Sequence, residues 1–179
     1  MGRFITENSR IEQVDTPGYW KTIDNELYLD DNGELYLTPR YFWSDGYTFP
    51  RIVMLFLGDK QYWDVRAAHG HDLFCRFHQR IRVRMSLTQL RQKGYLRVHK
   101  EKLILEDVPL QYLSIEKVSK TWADNCFKRM MIACDLPKSK INLIRFGVFF
   151  NLNWWLKTGK KSITEYNIYK EDIGLVNGV

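Results

Sequence analysis

The segment Leu27-Tyr28-Leu29-Asp30-Asp31-Asn32-Gly33-Glu34-Leu35-Tyr36-Leu37 constrains the fold more than any other part of the chain. Two short runs of alternating apolar residues flank an Asp-Asn-Gly loop, the pattern of a β-hairpin. A three-residue loop, Asp31-Asn32-Gly33, puts Gly33 in the left-handed region as a bulge residue. Leu29 then faces Leu35, Leu27 faces Leu37, and Tyr28 pairs with Tyr36 on the opposite face. A two-residue Asn-Gly turn would set Leu29 against Tyr36 and mix the two faces, so the bulged hairpin is expected.

The rest of the chain arranges itself around this seed. Residues 1–57 read as β-rich, with strand or loop through Tyr41-Phe42-Trp43 and a turn at Ser44-Asp45-Gly46-Tyr47-Thr48-Phe49-Pro50. Residues 59–80 read as a helix with Asp59 as N-cap. Ala67, His71, Phe74 and His78 share one face, and Ala68, Asp72 and Cys75 form the next row. Gly70 sits inside this helix, where glycine costs about 1 kcal/mol relative to alanine and points to a closely packed neighbour. Ser86 and Gln89 form a capping box for a short helix ending near Gly94, and Tyr95–Leu105 reads as a strand or hairpin arm. Two further helices are expected, one from a Ser114 cap to about Cys134, the other from a Ser139 cap to Gly159. Val118, Trp122, Cys126, Met130 and Ala133 stripe the first. Ile141, Ile144, Val148, Leu152 and Trp155 stripe the second, while Phe146, Phe149, Phe150 and Trp154 leave it little polar face and call for cover on several sides. The expected class is α+β: an N-terminal hairpin or small antiparallel sheet packed on about three or four helices in one domain, 1–159, with an extended tail over 160–179.

Composition narrows the partners. The 179 residues hold 27 Lys and Arg against 21 Asp and Glu, a net charge of +6. Residues 76–102 alone hold nine basic side chains and one acid, Glu101, a net of +8. Arg80, Arg82, Arg84, Arg91, Lys93 and Arg97 are therefore candidates for contact with an anion or partner: nucleic acid, an anionic membrane surface or an acidic protein, with a solvated surface as the plain alternative. Arg82 and Arg84 alternate with Ile81, Val83 and Met85 as in a half-buried strand with its cations outward. No stretch is long and apolar enough to span a bilayer. Cys75, Cys126 and Cys134 are odd in number and show no C-x-x-C, which argues against a disulfide framework and suggests synthesis in a reducing cytoplasm.

The sharpest chemical feature is His69-Gly70-His71-Asp72. On a helix the two histidines lie about 200° apart and cannot share an ion. The plain structural reading is a helical histidine beside a capped or solvated aspartate. A second reading brings in Asp124, on another predicted helix. A carboxylate against one imidazole nitrogen fixes the tautomer and leaves the other as a base. Asp72, turned about 100° from His71, is then available with loop carbonyls near Asp45-Gly46 for a hard cation such as calcium.

The order of these elements resembles phospholipase A2-like domains. In the viral form Asp-x-x-Ala-x-x-His-Asp is followed by Ala-Asp-x-x-Phe. Asp64, Ala68, His71 and Asp72 give the first element with one extra residue, and Ala123, Asp124 and Phe127 give the second. The order also resembles a tailed-phage family with Asp-Gly-x-Ser-x-Pro, then His-Asp, then Ala-Asp, matched by Asp45, Gly46, Thr48, Pro50, His71, Asp72, Ala123 and Asp124. The resemblance implies that His71 activates water, Asp124 orients it, Asp72 binds calcium, and backbone near Gly46 completes the ion site for attack on a carboxylic ester. Two departures stand out: a bulky Tyr47-Thr48-Phe49-Pro50 follows Gly46, and Cys75 replaces the tyrosine usual three residues after the aspartate. The expectation is a phage structural or accessory protein, virion- or tail-associated, that binds other phage proteins in a symmetric assembly. An active calcium-dependent ester hydrolase is the alternative.

Overall fold

The structure is a computed structural model that describes residues 2–7, 10–13, 20–44, 64–149, 155–156, 158–159, 162–164 and 168–169. The predicted α+β class is what it shows: among the described residues, ten strands in antiparallel sheets and four α-helices. The hairpin takes the expected register. Strands β4 (Glu26–Leu29) and β5 (Leu35–Thr38) pair Leu29 with Leu35, Tyr28 with Tyr36 and Leu27 with Leu37, and Gly33 has φ +81°. Asp30 closes the loop, its Oδ1 accepting from the backbone N–H groups of Asn32 and Glu34.

This hairpin is the centre of a five-stranded sheet in the order β1-β4-β5-β7-β10, with β1 (Arg3–Phe4) outside β4 and β7 (Gln79–Val83) and β10 (Leu113–Lys117) outside β5. A second sheet joins β2 (Ile11–Gln13), β3 (Trp20–Thr22) and β6 (Trp43–Ser44), and β8 (Leu96–His99) pairs with β9 (Lys102–Leu105) as a separate hairpin. The expected arm over 95–105 is that hairpin.

The helices are α1 (Arg66–Phe77), α2 (Leu87–Gln92), α3 (Lys120–Ala133) and α4 (Lys138–Phe149). Helix α2 carries both bonds of the Ser86/Gln89 capping box, and Gly94 follows it at φ +76°. Four boundaries differ from the sequence reading, the first being that helix α1 starts at Arg66 with Val65 as its N-cap and so is not the helix expected from an Asp59 cap. Helix α1 ends at His78, which turns left-handed (φ 52°) and releases the chain into β7, where Ile81 and Val83 bury against the hairpin. Ser114 is no helix cap. It lies in β10 opposite Arg82, because alternating Leu113 and Ile115 pair with Val83 and Ile81; the cap is Ser119, whose Oγ accepts from Trp122 N–H. Helix α4 begins before Ser139, with the Pro137 carbonyl accepting from Ile141 N–H. Of the aromatic side chains expected to need cover on several sides of this helix, Phe146 is 62% exposed. Asp59 lies outside the described residues.

One sheet face carries Leu27, Leu35, Leu37, Ile81, Val83 and Leu113, all buried. The other carries Tyr28, Tyr36, Thr38 and Arg80 and receives α1 and α3. Tyr36 meets Trp122 edge-on at 5.5 Å, and the Arg80 guanidinium lies 4.9 Å from the Tyr36 ring centre and 4.7 Å from that of Trp122. Buried His69 and Glu26 join α1 to β4 through a 2.7 Å contact between Nδ1 and Oε1. Within the segment read as a tail, Ile163 and Ile168 are buried, and the Tyr169 hydroxyl donates to the Val108 carbonyl and accepts from its N–H.

Gly70 explains the closeness of α1 and α3. A Cβ there would stand 2.9 Å from Met130 Sδ and 3.0 Å from its Cε. Those are the far atoms of a flexible side chain, so Gly70→Ala should shift stability by less than about 1 kcal/mol, helix propensity offsetting the displacement. Gly70→Leu should cost about 1–3 kcal/mol by overpacking, and Met130→Ala in the same chain should recover part of it. Urea unfolding of the three variants checks this; equal midpoints for Gly70→Ala and Gly70→Leu would contradict it.

Candidate functional site

Helices α1 and α3 set His71 against Asp124. His71 Nε2 stands 3.3 Å from Asp124 Oδ1, at the long end of hydrogen-bond range. The same Nε2 lies 3.3 Å from Cys75 Sγ, one helical turn on. Phe127, one turn after Asp124, stacks on the imidazole with 4.2 Å between ring centres and 17° between planes. Both His71 and Phe127 are buried.

Asp124 has a second partner. Lys120, four residues earlier on α3, places Nζ 2.5 Å from Oδ2 and also donates to the Val148 carbonyl at 3.2 Å. Burial raises the Asp124 pKa, but the hydrogen bonds from His71 and Lys120 outweigh it and hold the carboxyl below its ordinary value. Burial, with the charges of Asp72 and Asp124, pushes the Cys75 thiol well above its usual range, so it stands as S–H. An Nε2–H directed at Asp124 would let the carboxylate fix the imidazole tautomer and orientation.

The other residues of the sequence reading fall in separate places. Asp72 is buried and its Oδ2 accepts from the Ser44 hydroxyl at 2.5 Å. Asp45 and Gly46, the expected calcium loop, lie outside the described residues. Among the described residues no group of three His, Cys, Asp or Glu is arranged to hold a metal ion. Asp64 pairs with Arg66. His69 faces Glu26, on the other side of the helix from the His71 pair, as the 200° separation requires.

The basic residues divide. Arg80 bonds Glu116 through Nε at 2.7 Å, and Arg82 lies 3.2 Å from Glu34 and 3.6 Å from Glu116. Arg97 pairs with Glu106 on the surface. Arg84, Arg91 and Lys93 are exposed.

Two features escaped the sequence reading. Lys120 carried a usable signal, its i, i+4 spacing to Asp124 on one helix. The other is an open pocket of about 290 Å³ between α3 and α4, lined by Asp124, Phe127, Asn142, Arg145, Phe146 and Val148. No local pattern announces it, because it exists only once the two helices pack. No family model, no curated protein and no solved structure matches the chain.

The depressed Asp124 pKa sets a direction for pH. The pair's contribution to stability is full above the ordinary carboxylate value of about 3.8 and is lost as pH falls through the lower folded-state value. Asp124→Asn should therefore destabilise the protein near neutral pH, by about 1.5–3 kcal/mol for a bond to a charged group, and should flatten the loss of stability below about pH 4. Thermal melts from pH 3 to 7 measure both; parallel curves for the two proteins would exclude the coupling.

Proposed function

We propose that this is a structural or accessory protein of a tailed bacteriophage, built on a phospholipase A2-like His–Asp core and acting mainly by binding other phage proteins. What supports the core is the motif order together with the 3.3 Å approach of His71 to Asp124. What supports binding over turnover is how the pair is closed. Both Asp124 oxygens are met by side chains of this chain, Nε2 is shared with Cys75, and Phe127 covers the ring. Such an arrangement fastens two helices together. Mass spectrometry of purified virions tests the assignment: tryptic peptides of the chain at a fixed ratio to a tail or capsid protein are expected, and their absence from intact particles overturns the virion reading.

A second reading has its own observation. The pocket between α3 and α4 opens on Asp124 and offers apolar walls with Arg145 at the side. A calcium-dependent ester hydrolase would use such a site. It predicts fatty acid release from phospholipid vesicles in millimolar calcium, abolished by His71→Ala. No release by the folded wild-type protein, from anionic or zwitterionic vesicles, would rule it out.

A further inference from the structure

The hairpin β8–β9 belongs to neither larger sheet, is fastened by the Glu7 N–H to the Leu103 carbonyl and by a bridge from Asn25 to Leu105, and has two unlike faces. Leu96 and Leu105 pair at its base and are buried, and the Asn25 side chain holds that base through the Leu105 carbonyl at 3.1 Å. From there the strands run outward to an exposed turn at Lys100-Glu101. Successive side chains of a strand point to opposite faces. Arg97, His99 and Lys102 therefore share one face with Ile104, while Val98 and Leu103 share the other. Arg91 and Lys93, in and just after α2, add exposed cations beside β8, tied to it by the Tyr95 N–H to Leu90 carbonyl bond.

The turn breaks a local rule. Lys100 (φ 48°) and Glu101 (φ 68°) are both left-handed, where a two-residue hairpin turn ordinarily places Asn-Gly. Side chains other than glycine, asparagine or aspartate are strained in that region, and such outliers concentrate at functional positions. Lys100 thus carries its ammonium to the outermost point of the ribbon on a backbone that would prefer another residue.

We propose that this hairpin is a nucleic-acid-binding arm whose basic face enters the major groove of duplex DNA, with Arg91, Lys93, Arg97, Lys100 and Lys102 meeting phosphates. The reading is independent of the His71–Asp124 site. Shape supports it, since a two-stranded ribbon fits a groove about 12 Å wide. Charge supports it: residues 91–106 hold five Lys and Arg against Glu101 and Glu106, with Glu106 in an exposed pair with Arg97 and Asp24, near Lys102, already paired with Arg10. Exposed pairs of this kind contribute little and open readily to a polyanion. Composition favours DNA over lipid. Leu96–Leu105 contains no aromatic residue for a membrane interface, and Val98, at 67% exposure, is its one strongly exposed apolar side chain.

Fluorescence anisotropy of the full chain with a labelled mixed-sequence duplex of about 20 base pairs tests the arm. Binding should weaken with salt, with a slope of about 0.9 per phosphate contacted. Arg97→Gln, Lys100→Asn and Lys102→Gln together should weaken it at least about 10-fold at low salt and lower the slope by about 2–3. Lys100→Asn alone should weaken it while leaving the Tm unchanged or higher, because asparagine tolerates the left-handed turn. Glu106→Gln should tighten it by freeing Arg97. No salt-sensitive duplex binding, equal binding by the triple variant, or capture by anionic phosphatidylserine vesicles with no binding to DNA would each overturn the proposal.

Discussion

The close approach of α1 and α3 governs most of what this structure does. Gly70 presents bare backbone, and Met130 lies against it with no Cβ between. That contact draws His71 to within reach of Asp124 and lays Phe127 on the imidazole. It also presses Trp122 toward the sheet, where Tyr36 and Arg80 receive it. Met130 can yield to an alanine at position 70, but a leucine there would push the helices apart and loosen the dyad, the aromatic contact and the cation's seat together.

The same packing explains why a chain with so concentrated a positive charge is not simply a basic surface. Strand β7 lays Arg80 and Arg82 across the sheet between Glu34 on one side and Glu116 on the other, so two of the nine cations of residues 76–102 are spent on joining β5, β7 and β10. Beyond β7 the chain leaves the sheet, and the cations of α2 and the β8–β9 hairpin come out to the surface. No described helix is long and apolar enough to cross a membrane.

Local rules made much of this legible. The hairpin register followed from the requirement that two leucine rows share a face, and the capping box followed from two side chains three residues apart. Gly70 signalled its neighbour without naming it. Ser114 misled because a serine shortly before the Val118, Trp122 and Cys126 stripe reads as an N-cap. The pairing of Ile115 with Ile81 across β10 and β7, a long-range contact, decided otherwise. His78 misled for a similar reason: its helical face continues smoothly in sequence, yet the left-handed turn there lets Ile81 reach the sheet.

The sequence by itself determined the α+β class, the register of the central hairpin, the short capped helix, and the fact that His69 and His71 must serve different partners. These depend on periodicity and backbone preference within a few residues. Only the tertiary structure decided that His69 takes Glu26, that His71 and Cys75 share one nitrogen's surroundings with Asp124, that Lys120 claims the second carboxylate oxygen, and which arginines are neutralised. Each of those outcomes joins residues from different elements, most of them far apart in the chain, and the free energy that fixes them comes from burial and charge pairing that exist only after the helices and sheet have met.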